Sequence, residues 1–537
     1  MSNATLTTER LSAWLRITVD SLRHLCALCV FAVKAENTGN SLTAEAQRTQ
    51  RLRRGLATVP EFFNRTGSLV RSWYSTVWAF KTARTIAAFV ALCLAPYFIP
   101  ALARYQALGQ STASTPLQPP SDAQALDSTQ PTDTALPIQP IPGEIEDPSG
   151  HALDHFFESL SKTESETGQT RICHYGDSPI TNDGITSTVR RKLQLRFGDA
   201  GHGFILIARP WGWYGHSGVE HQASAGWSSD PMFISRGDHF YGLGGVSFTA
   251  TSASATFATT EEGEVGHSVS SFDLYYLARP GGGDVDIEVD GQNYDRFSTA
   301  SDQIQSGFYR VSLDEGPHAM TIRTRNTGEV QMFGVVMESS HQGVEYDSLG
   351  VNGAFIGLLA HYIDPDHWAE QLRHRNPDLL IIGYGTNESQ FERLPMDQYQ
   401  ADTREAVRRI RSALPGMSIM LVGPMDRGTR GAGASIVTRP MIPKLIAYQR
   451  RLAAELGCAF FDTYTAMGGE GTVARWFEAK PRLMGGDYTH PTVQGAEIVG
   501  TLIYDAMMRA YENYKASNVG AVPLRPPQNP ITTGARR

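Results

Sequence analysis

Apolar residues follow three different rhythms along this chain. From 171 to 211, and again from 341 to 512, short apolar runs alternate with stretches whose apolar residues recur every three or four positions. Residues 171–175 (RICHY), 379–384 (LLIIGY), 418–422 (SIMLV) and 458–461 (CAFF) are predicted strands. Ile185, Val189 and Leu193 fall on one helical face, and further helices are predicted over 399–414, 443–456 and 493–511. This alternation predicts an α/β domain with a parallel sheet covered on both faces.

Between about 212 and 340 the period changes to two. VSFTATSASATFAT, SFDLYYLARP, DVDIEVDG, GFYRVSL, HAMTIRTR and VQMFGVVM are separated by Gly, Asp and Asn turns. Such a block predicts a β-sandwich inserted into the α/β domain, so that 151–211 and 341–515 are one domain in space.

The third rhythm is continuous. Residues 85–103 (TIAAFVALCLAPYFIPALA) carry no charge over 19 positions. As a helix they would cover roughly 28 Å, close to a hydrocarbon core of about 30 Å. They are predicted to be a transmembrane anchor. Ala101-Leu102-Ala103 has the small residues of a signal cleavage site, but the long region ahead of it reads as that of an uncleaved anchor. The run 26–33 is too short to span. Residues 106–155 hold no aromatic side chain, and eight prolines fall between 111 and 148. Residues 104–150 are therefore expected to be a disordered tether with a reach of roughly 40 Å, and 516–537 a disordered tail.

Charge adds direction. The net charge is −8, but residues 1–104 hold 13 Lys/Arg against 5 Asp/Glu. Arg48, Arg51, Arg53, Arg54, Arg65, Arg71, Lys81 and Arg84 precede the apolar segment, and only Arg104 follows it closely. The positive-inside rule places 1–84 in the cytoplasm and the remainder in the periplasm or cell envelope, on a single-pass protein of the cytoplasmic membrane. The acidic remainder excludes a nucleic-acid binder held by phosphate neutralisation. Five cysteines are too few for a disulfide framework, and Cys26-x-x-Cys29 lacks a second pair. His216, His221 and His239 lack ligand spacing. No metal or cofactor is expected.

Three points at predicted strand ends carry chemistry, which is where open α/β sheets place reactive groups. Ser178, in GDSPITND, follows RICHY and precedes a helix, so its N–H would favour charge developing on a nearby oxygen. Asp487 and His490, in DYTHP, stand three apart before the last helix. There the carboxylate can hold one ring nitrogen while the other takes a serine proton. Asn387, in GYGTNE, can donate its amide to an oxyanion. Taken singly, each is equally readable as a cap or a satisfied loop residue.

Taken together, the chain resembles the SGNH/GDSL hydrolase superfamily over 171–211 and 341–512. That resemblance implies Ser178 as nucleophile, His490 as general base and Asp487 as the group that orients it. It also implies an oxyanion hole of the Ser178 and Gly353 N–H groups and the Asn387 side chain, Gly353 lying in VNGA just past the insert. Two departures are Pro179 after the serine and Glu388 after Asn387. The forms HYGDS, LQLRFGDAGHGF and GYGTNE, with a β insert before the second block, are similar to the peptidoglycan O-acetylesterase branch. In that branch the insert resembles a carbohydrate-binding module. Trp211, Trp213, Tyr214 and Trp227, with Tyr241 beyond, are candidates for stacking on sugar rings.

The resulting expectation is a membrane-anchored serine esterase that removes O-acetyl groups from peptidoglycan or another envelope polysaccharide. Two alternatives stay open. One is an O-acetyltransferase that uses the same triad with a membrane acyl-donor partner, and the other is a non-catalytic carbohydrate-binding protein of the envelope.

Overall fold

The computed structural model describes residues 143–519, apart from 166, 233–236, 432 and 434. The predicted cytoplasmic region, the anchor at 85–103, nearly all of the tether and residues 520–537 lie outside the described residues. Among the described residues no helix is long and apolar enough to cross a membrane.

Six strands form the α/β sheet, in the order Ile145–Glu146, Ala459–Phe461, Ser418–Val422, Leu379–Gly383, Gln169–Gly176 and Gly343–Gly350. The last five run parallel, and Ile145–Glu146 closes one edge antiparallel. Their apolar runs are continuous because both faces are covered. Leu380, Ile382 and Leu421 enter one core, while Leu379, Ile381 and Met420 enter the other. The predicted helices are present as Gly184–Phe197, Met396–Ala413, Met441–Leu456 and Val493–Val519. The last runs past residue 515, where the disordered tail was expected to begin.

The tether ends sooner than its composition suggests. Ile145 pairs with Phe461, and Arg450 Nε holds the Glu146 carboxylate at 2.8 Å. Two residues can complete an open sheet edge without aromatic ballast, so composition could not reveal them.

The insert is a two-sheet sandwich. One sheet runs Gln292–Ser298, Asp284–Val289, Ala319–Thr324, Ser254–Thr259, Val219–Ala223. The other runs Gln305–Gly316, Val269–Ala278, Val330–Glu338, Val246–Ala250, Ser228–Pro231. Asp284–Val289 shows the expected alternation, with Val285, Ile287 and Val289 inward. The sandwich starts before the expected boundary at 212, because Gly201–Leu206 pairs antiparallel with Val330–Glu338. That strand is buried at every position and passes close to Gly343–Gly350. A Cβ on Gly203, whose φ is +77°, would lie 2.4 Å from Asp347 Oδ1.

Insert and α/β sheet share one core. Cys173, Tyr175 and Trp368 pack in the same apolar cluster as Phe204, Phe248 and Tyr275, and Trp368 Nε1 donates to Tyr175 Oη at 3.0 Å. The helix Pro365–Arg375 lies at this junction. Asp364 caps it by accepting from the N–H groups of Asp366 and His367, and Pro365 opens its first turn. Its last residue, Arg375, is buried among three carboxylates. Arg375 Nε donates to Asp347 at 2.8 Å, Nη1 to Glu338 at 3.1 Å, and Nη2 to Glu345 at 2.7 Å. Glu338 belongs to the sandwich, and Asp347 and Glu345 to the α/β sheet, so one guanidinium joins the two layers. Arg171 and Arg310 also reach Glu338, and Arg171 reaches Glu345, but removing Arg375 leaves the buried Asp347 without a cation. Arg375→Met is therefore expected to lower stability by about 3–5 kcal/mol, read from denaturant unfolding of the purified protein.

Candidate active site

Three neighbouring strands, Leu379–Gly383, Gln169–Gly176 and Gly343–Gly350, deliver their following loops to the carboxyl edge of the sheet. Ser178 comes two residues after Gln169–Gly176 and is buried. It opens a short 3-10 turn, Ser178–Ile180, and the α-helix starts only at Gly184. The serine N–H therefore heads a single turn and not a full helix, which weakens the expected dipole contribution.

His490 reaches Ser178 from the opposite end of the chain, its Nε2 lying 2.7 Å from Ser178 Oγ. His490 Nδ1 lies 2.6 Å from an Asp487 carboxylate oxygen. The other oxygen of Asp487 accepts the backbone N–H groups of Thr489 at 3.0 Å and His490 at 3.1 Å. Partial burial opposes the charge on Asp487, but these bonds from His490 and Thr489 win and hold its carboxyl far below the usual carboxylate range. A charged carboxylate can only accept, so the ring proton sits on Nδ1 and leaves Nε2 to accept from the serine hydroxyl.

Gly353 follows Gly343–Gly350 with φ +78°, a backbone shape that favours glycine. Asn387 follows Leu379–Gly383 and donates from Nδ2 to the Ala354 carbonyl at 2.8 Å. This bond ties the Asn387 loop to the Gly353 loop. An amide has two N–H donors, so one is left for a ligand oxygen.

Residues the motif reading passed over hold this arrangement together. Asp177 accepts the Thr386 N–H at 3.0 Å, linking the serine loop to the Asn387 loop. Arg427, in the loop after Ser418–Val422, donates from Nη1 to the Thr386 carbonyl and to Ser389 Oγ. Its Nε donates to Thr489 Oγ1 at 3.1 Å, beside the Asp487–His490 turn. Arg427 is thus a positioning residue that braces two functional loops against each other. Its location at the end of a parallel strand was the one signal available in sequence. Arg427→Ala is expected to cost roughly 10–100-fold in kcat with a smaller change in KM, and Arg427→Lys to recover only part of it. Steady-state kinetics on a small ester would check this.

Burial and the neighbouring Glu388 push the Asp177 carboxyl up to about 8, and burial pushes Glu388 up to about 7. The folded chain therefore keeps a proton on Asp177 up to about pH 8, which the unfolded chain releases near its ordinary value of 3.8. Stability falls as pH rises through that window. Asp177→Asn is expected to flatten this decline between pH 5 and 8, measured as the unfolding midpoint against pH.

The candidate sugar-stacking aromatics are dispersed. Tyr214 is a core residue whose Oη accepts the Leu206 N–H at 2.8 Å, so it offers no free ring face and is not a stacking platform. Tyr241 is likewise buried. Trp211 and Trp227 are half-buried against the core, and Trp227 Nε1 donates to the Ser254 carbonyl. Trp213 alone of these is well exposed, at 56%. His216 and His221 donate to the backbone carbonyls of His202 and Ile207, and His239 donates to that of Tyr362. Among the described residues no group of three or more ligating side chains could hold a metal ion.

A hydroxyl, an imidazole and a carboxylate in hydrogen-bond sequence at the carboxyl edge of a parallel sheet have the chemistry of a serine-type acyl hydrolase. Residues 320–498 match the family model described as GDSL-like lipase/acylhydrolase. That span contains Gly353, Asn387, Asp487 and His490, while Ser178 lies before the insert and outside the match. A solved peptidoglycan O-acetylesterase aligns with a TM-score of 0.59 and 22% identity, covering 69% of this chain and 99% of that one. A family two carbohydrate esterase from Clostridium thermocellum, solved with cellohexaose, aligns with a TM-score of 0.25 and 12% identity, covering 53% and 98%. No curated protein matches the chain. Over residues 320–498 the chain is thus similar to GDSL-like lipases/acylhydrolases, and it shares its fold with the solved O-acetylesterase.

Proposed function

We propose that this chain removes O-acetyl groups from peptidoglycan or another envelope polysaccharide through an acetyl-serine intermediate. The observation that carries the reading is the relay from Ser178 Oγ through His490 to Asp487, at 2.7 and 2.6 Å. The fold shared with a peptidoglycan O-acetylesterase over nearly all of that protein supports the choice of substrate.

In this mechanism Ser178 Oγ attacks the acetyl carbonyl carbon as its proton passes to His490 Nε2. The negative charge moves onto the carbonyl oxygen, which accepts from the Ser178 and Gly353 N–H groups and the Asn387 amide. The imidazolium, stabilised by Asp487, gives its proton to the sugar oxygen as the C–O bond breaks. Water then attacks the acetyl-serine with His490 as base, releasing acetate and restoring the hydroxyl. Residues 85–103 hold the protein at the membrane in this reading, and the segment after them lets the domain reach a glycan mesh lying off the surface.

Transfer and hydrolysis differ only in what accepts the acetyl group. The test follows isotope-labelled acetyl from O-acetylated peptidoglycan in the presence of an unacetylated oligosaccharide. Label recovered as free acetate is the expected result. Label recovered on oligosaccharide hydroxyls would replace the esterase with a transferase.

A further inference from the structure

A groove of about 440 Å³ opens beside the candidate oxyanion donors, with Gly353 and Asn387 in its lining. Two aromatic residues line it, Phe355 two positions after Gly353 and Phe391 four positions after Asn387. Phe355 is 36% exposed and Phe391 is 55% exposed, both unusual for phenylalanine on a well-packed domain. Leu394 continues the apolar surface, and Gln390, Gln398 and Asp402 give the groove a polar edge. Glu388 lines the same groove. Its Oε1 accepts the Ile356 N–H at 3.0 Å, but its Oε2, though buried, makes no hydrogen bond among the described residues. Carboxyl oxygens of Asp273, Glu345 and Asp426 are also one bond short, but of these four groups Glu388 is the one that lines this groove, where a ligand hydroxyl would supply the missing bond.

The groove shares Gly353 and Asn387 with the candidate oxyanion hole, which makes the substrate its natural occupant. An acetyl group fills only a small part of this volume, which leaves the alcohol side of the ester for the remainder. Flat apolar faces beside a polar edge match a pyranose ring, whose C–H face is apolar and whose rim carries hydroxyls. A fatty acyl chain would leave Glu388 and the polar edge unmatched. We propose that this groove is the subsite for the sugar ring next to the acetylated one. The ring lies against Phe355 and Phe391, and one of its hydroxyls reaches Glu388. This inference rests on the polysaccharide esterase reading and adds where the glycan lies.

The test uses the full chain, p-nitrophenyl acetate as reporter and a tetramer of N-acetylglucosamine as ligand. The tetramer carries no O-acetyl ester, so it binds without being turned over. Competitive inhibition also ignores any saccharide held on the sandwich, because binding there does not displace the ester. The expected result is competitive inhibition whose Ki rises about tenfold in Phe391→Ala, the scale of losing an aromatic face from a contact. Phe391→Leu, which keeps apolar volume without a flat ring, is expected to weaken inhibition nearly as much. Phe391 is exposed, so both variants should fold, which thermal unfolding verifies. Absence of inhibition, or an unchanged Ki in both variants, overturns the subsite. So does a preference of the wild type for p-nitrophenyl octanoate over the acetate that is lost in Phe391→Ala, since the groove would then be an acyl pocket. Acetate release from O-acetylated peptidoglycan is read separately. Its absence counts against the esterase reading, while the inhibition result decides the groove.

Discussion

Ser178→Ala is expected to lower kcat for any ester by about a millionfold, the scale seen when one member of a serine triad acting as a unit is removed. The reason lies in what remains. His490 would keep its bond to Asp487 and Asp487 its two backbone N–H groups, yet no oxygen would stand 2.7 Å from Nε2 to accept the acyl group. The fold should survive, because Ser178 Oγ contributes one hydrogen bond at the edge of the sheet and alanine fits wherever serine does. Unchanged thermal unfolding beside lost turnover would therefore locate the defect in the chemistry. If the variant kept a large fraction of its activity, a different group would have to be the nucleophile.

The second large effect is expected at Asn387. Asn387→Ala should reduce kcat by about 10²–10³-fold and change KM much less, since an oxyanion donor acts on charge that exists only in the transition state. The substitution also frees the Ala354 carbonyl that Asn387 now engages at 2.8 Å, so some loosening of the Gly353 loop adds to the loss. Equal losses in kcat and kcat/KM are the expected signature. A rise in KM at constant kcat would instead make Asn387 a ground-state contact with the glycan.

These positions could be approached from sequence because the architecture puts reactive groups where the sequence is easiest to read. Strands such as Leu379–Gly383 and Ser418–Val422 are buried on both faces, so they appear as short apolar runs, and the residues just beyond them fall at the sheet's carboxyl edge. Ser178, Gly353 and Asn387 follow three strands that are neighbours in the sheet. What stayed hidden has physical causes. Gly201–Leu206 is fully buried, and a buried run reads the same whether it pairs in the α/β sheet or in the sandwich. Tyr214 resembles its exposed neighbour Trp213 in sequence, and only the fold sends one ring inward and the other outward. Asp177, Arg427 and Arg375 act through hydrogen bonds to residues distant along the chain, and no periodicity encodes those partners.

The most direct single measurement is acetate release from O-acetylated peptidoglycan by the full chain, run beside Ser178→Ala and beside p-nitrophenyl acetate. Release from the glycan that disappears in the variant is the predicted result, since the same serine would then be shown to act on the proposed substrate. Cleavage of the aryl ester without release from the glycan, or release from the glycan that persists in Ser178→Ala, would contradict it.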